Sequence, residues 1–272
     1  MLFFIPRSAA GIVIITLIAS GFWQNSNTTD NAYADNITLI QANIKQHEKW
    51  DPKHIKGNFD RYISMSKSAI KGKTSPQTII WPETAISQNL LSNPRVNEKL
   101  EQFLSALPPE SHLITGFLNQ HNGAYYNSLI VMNTSGEIVA SYDKHHLVPF
   151  GEYMPFGLDT LTGFTGFSHG TPPKQMTFGE QKFLPLMCYE VIFPPYSAQS
   201  KDSDFILNLT NDAWFGKTAG PYQHFDHARF RAAENKKPII RLSGNGISAF
   251  IDSHGRVLSA TKLNTQSFLS KE

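Results

Sequence analysis

Residues 183–194 read FLPLMCYEVIFP: a short apolar run, taken as a strand over residues 183–189, that carries the chain's only cysteine, Cys188, with Tyr189 and the acid Glu190 directly behind it. A strand that ends on a reactive side chain is how a sheet presents chemistry to a crevice. The same arrangement occurs twice upstream. TIIWPET, residues 78–84, is an apolar strand stopped by Pro82 immediately before Glu83. SYDKHHLVPFGE, residues 141–152, follows a strand over 137–142 and brings Lys144 and then Glu152.

Outward from these three strand ends, the pattern alternates between periods. A strand is expected over 37–44, then a helix over 53–71 with Ile55, Phe59, Tyr62, Ile63, Ser66 and Ile70 on one face, closed by Gly72 and Pro76. A helix near 95–104 precedes strands at 112–118, 125–132 and 137–142, the last two joined at Ser135-Gly136. Further strands fall at 205–209, 239–242 and 247–251, with a turn at His254-Gly255. A helix over 221–235 carries Pro in its first turn and should bury Phe225, Ala228 and Ala232. Mixed strands with interspersed helices predict an α/β layered sandwich in one domain, residues 37–272. Residues 151–174 show no period and should form a long surface loop. Its Phe156, Leu158, Leu161, Phe164 and Phe167 need a surface to touch, which suggests a lid facing a membrane or an acyl chain.

Composition narrows the partners. The chain has 272 residues, a net charge of +2 and 17% charged residues, so it lacks the basic field that nucleic-acid binding requires. One cysteine excludes an internal disulfide and a multi-cysteine metal site. The pairs His145-His146 and His224/His227 have no third ligand at recognisable spacing, so no metal is expected. Residues 9–23, AAGIVIITLIASGFW, carry no charge. As a helix they reach roughly 22 Å, short of the ~30 Å hydrocarbon core that residues 2–23 together would span. We read residues 1–23 as a membrane-anchor helix and 24–36 as a linker; a signal peptide ending at Ala32-Tyr33-Ala34 and a buried helix are the alternatives. Arg7 precedes the apolar run and no Lys or Arg follows it before Lys45, which places the main domain across the membrane.

A lone buried cysteine is most often a small hydrophobe. To act as a nucleophile, Cys188 needs a base and a nearby cation, which Glu83 and Lys144 can supply. Taken singly, Glu83 is equally a surface carboxylate or a helix-start residue, Lys144 a solvated lysine, and Glu152 either a partner for Lys144 or an exposed loop acid. Trp214, in NDAWFG at 211–216, is either a packed core residue or a substrate contact.

Together, WPET, YDKHHLVPFGEYMPF, MCYEVIFP, NDAWFG and GPYQHFDHARFRAAE resemble the nitrilase superfamily and, within it, the catalytic domain of the apolipoprotein N-acyltransferase family, over about residues 37–260. The resemblance implies a nitrilase-like α-β-β-α sandwich with mixed sheets, preceded here by one apolar N-terminal helix. It implies Glu83 as general base, Lys144 as oxyanion-stabilising cation and Cys188 as nucleophile. Glu152, Tyr189 and Glu190 would support them, and Trp214 would lie near the acyl site. It also implies no cofactor, a phospholipid acyl donor, a diacylated lipoprotein acceptor, and a bacterial inner membrane with the catalytic domain facing the periplasm. Members of that family carry several transmembrane helices before the catalytic domain and one after it. An amidase acting on small amides is the alternative.

Overall fold

The computed structural model describes residues 36–121, 123–155, 166–216 and 218–271. The expected anchor helix, the linker up to residue 35, and Phe156, Leu158, Leu161 and Phe164 of the loop lie outside the described residues. No helix among the described residues is long and apolar enough to cross a membrane.

Two mixed sheets form the centre. The first has the order β13 (Ser267–Lys271), β1 (Ile37–Gln41), β2 (Thr78–Ile80), β4 (His112–His121), β5 (Ala124–Met132), β6 (Ile138–Asp143), with β3 (Ile86–Ser87) beside β4. The second runs β12 (Val257–Ala260), β11 (Ala249–Ile251), β10 (Ile239–Ser243), β9 (Phe205–Thr210), β8 (Gln181–Met187), β7 (Met176–Phe178). In each sheet the middle strands are parallel, β1-β2-β4 and β8-β9-β10, and the outer ones antiparallel, except that the short β3 pairs parallel with β4.

The period-2 alternation of these strands sorts side chains into layers. Ile79, Leu113 and Ile130 face α1 (Ile55–Ala69) and α2 (Pro94–Ser105), packing on Phe59, Tyr62 and Phe103. Their neighbours Ile80, Ile114, Leu129 and Val131 face the other sheet and meet Phe183, Phe205, Leu207 and Leu242. On the far side Leu184, Leu186 and Ile206 receive Ala228 and Ala232 of α3 (Gly220–Asn235). The result is the α-β-β-α sandwich, its central strands buried on both faces, which explains why they read as near-continuous apolar runs.

Several expectations need correction. The strand expected over 183–189 ends at Met187, because Cys188–Ile192 winds into a 3-10 helix. Phe225 is only partly buried; the inward stripe of α3 is Pro221, His224, Ala228 and Ala232. Strands β12 and β13 were not anticipated. Their residues are largely exposed or half-buried, so they show little apolar signal, and β13 is held by antiparallel pairing with β1 far away in sequence.

Candidate active site

The Glu83 corner is built from below. Trp81 is fully buried, stacks on Tyr62 and Phe103 with centroids 5.2 and 6.0 Å apart, and donates Nε1–H to Ser66 Oγ at 2.9 Å. That anchor sets where Pro82 and Glu83 leave β2. The following turn is strapped to β4: Gly116 N–H donates to Pro82 O at 3.1 Å and Ala85 N–H to Gly116 O at 3.0 Å. The approach is so close that a Cβ on Gly116 would lie 2.3 Å from Thr84 N and 2.5 Å from Glu83 Cα, so only glycine fits there. Thr84 takes a left-handed φ of 51° to complete the turn.

Glu83 Oε1 accepts from Lys144 Nζ at 3.3 Å and from Asn127 Nδ2 at 2.8 Å. Glu152 closes the ring, its Oε2 accepting from Lys144 Nζ at 2.8 Å and its Oε1 from Asn127 Nδ2 at 2.7 Å. One cation and one amide thus clamp two buried carboxylates. Lys144 sits just past β6, and its own N–H is tied to Asn127 O at 2.8 Å. Burial pushes the Glu83 carboxyl up, but the Lys144 and Lys49 ammonium groups and the Asn127 amide outweigh it and hold it below its usual range. Burial likewise pulls Lys144 down, yet Glu83 and Glu152 hold it above the ordinary lysine range. At neutral pH the pair is therefore Glu83 anion and Lys144 cation. Glu83 Oε2 is buried with no hydrogen-bond partner among the described residues.

Cys188 follows β8 with a left-handed φ of 46°, unusual for a side chain with a Cβ. Its backbone is clamped on both sides. Glu190, fully buried, accepts from Met187 N–H through Oε2 at 2.8 Å, and through Oε1 from Tyr142 OH at 2.6 Å and the N–H groups of His145 and His146 at 2.9 Å each. One carboxylate thereby fixes the turn beside Cys188 to the turn beside Lys144. Burial keeps Glu190 above its usual range despite these donors. On the other side His224 Nε2–H donates to Cys188 O at 3.0 Å, while its Nδ1 lies 2.8 Å from Asp212 Oδ1. Asp212 is held in turn by Arg241 Nη2 at 2.8 Å and Ser243 Oγ at 3.0 Å. Burial and then the Glu83 charge push the thiol up to about 12, against the pull of Lys144 and the Thr210 hydroxyl, so at rest it is protonated.

A cavity of about 200 Å³ collects Glu83, Lys144 and Cys188, along with Val148, Tyr189, Trp214 and Phe215. A second, of about 250 Å³, shares Glu83, Glu152 and Trp214 and extends toward Gln46, Trp50 and Asn127. A larger groove near His121 and His169 holds none of the three reactive side chains. The structure therefore brings Glu83, Lys144, Cys188, Glu152, Tyr189 and Trp214 to one place, with Glu190 beneath it. Trp214 is no core residue: it is 63% exposed at the mouth. His145 and His146 point instead to Gly170 O and the Tyr196 hydroxyl, and no group of three metal-ligating side chains occurs among the described residues.

Sequence reasoning missed Lys49, Asn127, Asp212, His224 as a backbone clamp, and Arg241. Lys49 is buried and donates Nζ–H to Glu83 O at 3.0 Å; burial lowers it to about 8 against the opposing pull of Glu83 and Cys188. Arg241 carried the one usable signal, a charge inside the apolar strand IIRLS. A nucleophile, a carboxylate with one free oxygen and a cation in one enclosed space can carry out acyl transfer through a covalent intermediate.

Comparison with known proteins agrees with this architecture. The carbon-nitrogen hydrolase family profile matches residues 36–270. Proteins named apolipoprotein N-acyltransferase from Allorhizobium ampelinum and Brucella melitensis are 39% and 36% identical, over 94% and 95% of this chain and 51% and 52% of their own lengths. The chain thus spans about half the length of the curated relatives it matches. Among solved structures, a CN-hydrolase superfamily protein from Xanthomonas campestris superposes with a TM-score of 0.61 at 21% identity, covering 86% of this chain and 88% of that one. A carbon-nitrogen hydrolase from Helicobacter pylori gives 0.64 at 17%, covering 86% and 87%; at these identities the likeness concerns the fold alone. On the profile match and the shared architecture, the chain belongs to the carbon-nitrogen hydrolase family.

Proposed function

We propose that this chain is the catalytic part of an apolipoprotein N-acyltransferase, moving a fatty acyl group from phospholipid through a Cys188 thioester to the N-terminal amine of diacylglyceryl-cysteine lipoproteins. The names and identities of its relatives support that substrate pair. The observation that carries the chemistry is the buried Cys188 thiol sharing one cavity with Glu83 and Lys144.

In this reading Cys188 attacks the ester carbonyl as its proton passes to Glu83 Oε2, the oxygen left without a partner. With the thiol at about 12, proton transfer and attack proceed together. Once Glu83 is neutral, Lys144 keeps Glu152 as counter-ion and turns its remaining donors to the oxyanion, an interaction worth on the order of 3 kcal/mol. Collapse expels the lysophospholipid, whose leaving oxygen takes the proton back from Glu83, and the acceptor amine then attacks the thioester. Trp214 and Phe215 offer an apolar mouth for the acyl chain. The site would face the periplasm from the bacterial inner membrane, with residues 1–23 as an anchor. No cofactor enters any step.

The test is intact-protein mass spectrometry of the membrane-reconstituted chain after incubation with phosphatidylethanolamine vesicles. A hydroxylamine-labile gain of one acyl group, absent in Cys188→Ala, is expected. A folded parent that gains no acyl mass yet releases ammonia from small amides would replace this reading with an amidase.

A further inference from the structure

Resting on the acyl-transfer reading, we propose that the second cavity is the entry and binding site of the acceptor amine, with Asn127 Oδ1 and Glu83 Oε2 receiving its N–H groups. The two cavities meet at Glu83, Glu152 and Trp214 but differ in lining. The first holds Cys188, Val148 and Phe215. The second adds Gln46, Trp50, Leu118 and Asn127 and does not include Cys188 in its wall.

The decisive feature is a pair of orphan acceptors. Asn127 is 2% exposed and directs Nδ2 at both Glu83 Oε1 and Glu152 Oε1. Ionised carboxylates only accept, so the amide cannot be flipped, and Oδ1 is left buried with no partner among the described residues. Glu83 Oε2 is in the same condition. Buried polar atoms normally have partners, and an unpaired pair in one wall needs an explanation, here a donor that arrives with the substrate. An ester or thioester brings only acceptors and satisfies neither atom. A primary amine brings the donors both lack.

The chemistry balances at this junction. The amine lone pair attacks the thioester carbonyl carbon, the C–N bond forms and the C–S bond breaks. The proton leaving nitrogen passes to Glu83 Oε2 and then to the Cys188 sulfur, restoring the thiol. Glu83 thus serves the thiol from one cavity and the amine from the other.

Leu118 tests the placement, since of the two cavities it lines the second and not the first, and it lies directly opposite Asn127 in the β4-β5 register. The full chain is loaded with a butyryl group from p-nitrophenyl butyrate, the p-nitrophenol burst giving acyl-enzyme formation. S-propylcysteine methyl ester is then added and the N-butyryl product measured. In Leu118→Trp the ratio of amide formed to burst should fall at least tenfold. In Leu118→Ala the ratio for a bulkier amine, the N-terminal dipeptide S-propylcysteinyl-leucine, should rise. Ratios equal to the parent in every variant that bursts would overturn the placement; should Leu118→Trp fail to fold, Leu118→Ala alone decides. Failure of the underlying reading looks different: a parent that gives no burst, or whose acyl-enzyme yields butyrate and no amide.

Discussion

The two sheets hold their reactive groups in opposite ways. Sheet one holds Glu83 and Lys144 by their charged tips, in a closed ring with Asn127 and Glu152. Sheet two holds Cys188 by its backbone, between the Glu190 clamp on Met187 N–H and the His224 donor on Cys188 O. Charged tips that must stay ionised in a dry site need partners at the charge itself, because an uncompensated buried charge is costly. In the proposed acyl transfer the thiol moves toward a carbonyl, which needs its main chain fixed and its sulfur less encumbered. Pre-organisation therefore acts on side chains in one corner and on main chain in the other.

The comparison is broken most severely by Lys144→Ala, which leaves Glu83 and Glu152 facing each other without the cation that bridges them. Urea unfolding should show a loss of about 3–5 kcal/mol, and acyl transfer should fall at least roughly a hundredfold. Adding Glu152→Gln should recover part of the stability and none of the rate. Next comes Gly116→Ala, which forces the Glu83 turn off β4; we expect about 1–3 kcal/mol of destabilisation and a rate loss on the order of a hundredfold from misplacement of Glu83. In sheet two, His224→Ala should lower kcat about tenfold, since it removes the donor that positions the Cys188 carbonyl beside the cavity its ring also lines. His224→Gln, which can still donate to Cys188 O, should recover part of that loss, and equal activity in the three proteins would remove the backbone clamp from the account.

The smallest effect is a pH dependence. Lys49 titrates at about 8 in the folded chain and near its ordinary 10.5 when unfolded. Between those values the unfolded chain binds the extra proton, so the parent gains stability as pH rises from 8 to 10.5 and carries the full burial cost below 8. Lys49→Met should lack that rise. Parallel stability profiles for the two proteins over this window would mean the ammonium is not strained by burial.

Much of the site was legible because each reactive residue stands at the end of a strand signal: TII before Trp81-Pro82-Glu83, IVASYD before Lys144, and FLPLM before Cys188. Glu152 and Glu190 were readable by proximity in sequence to Lys144 and Cys188. Asn127, Lys49 and Asp212 were not, because each reaches the site from another segment: 44 positions separate Asn127 from Glu83 and 34 separate Lys49 from it. No local period encodes such contacts.

By itself, the sequence determined most of the order of strands and helices and the apolar faces that sort into layers, since these follow from side-chain type and near-neighbour spacing; it offered Glu83, Lys144 and Cys188 as candidates, whose roles came from the resemblance of the surrounding motifs to a known family. Only the tertiary structure decided which oxygen of Glu83 lacks a partner among the described residues, that Trp214 stands at the mouth and not in the core, and that β13 closes the sheet against β1. Those outcomes depend on segments brought together by burial of two sheets against each other, a long-range free energy that no short window of residues contains.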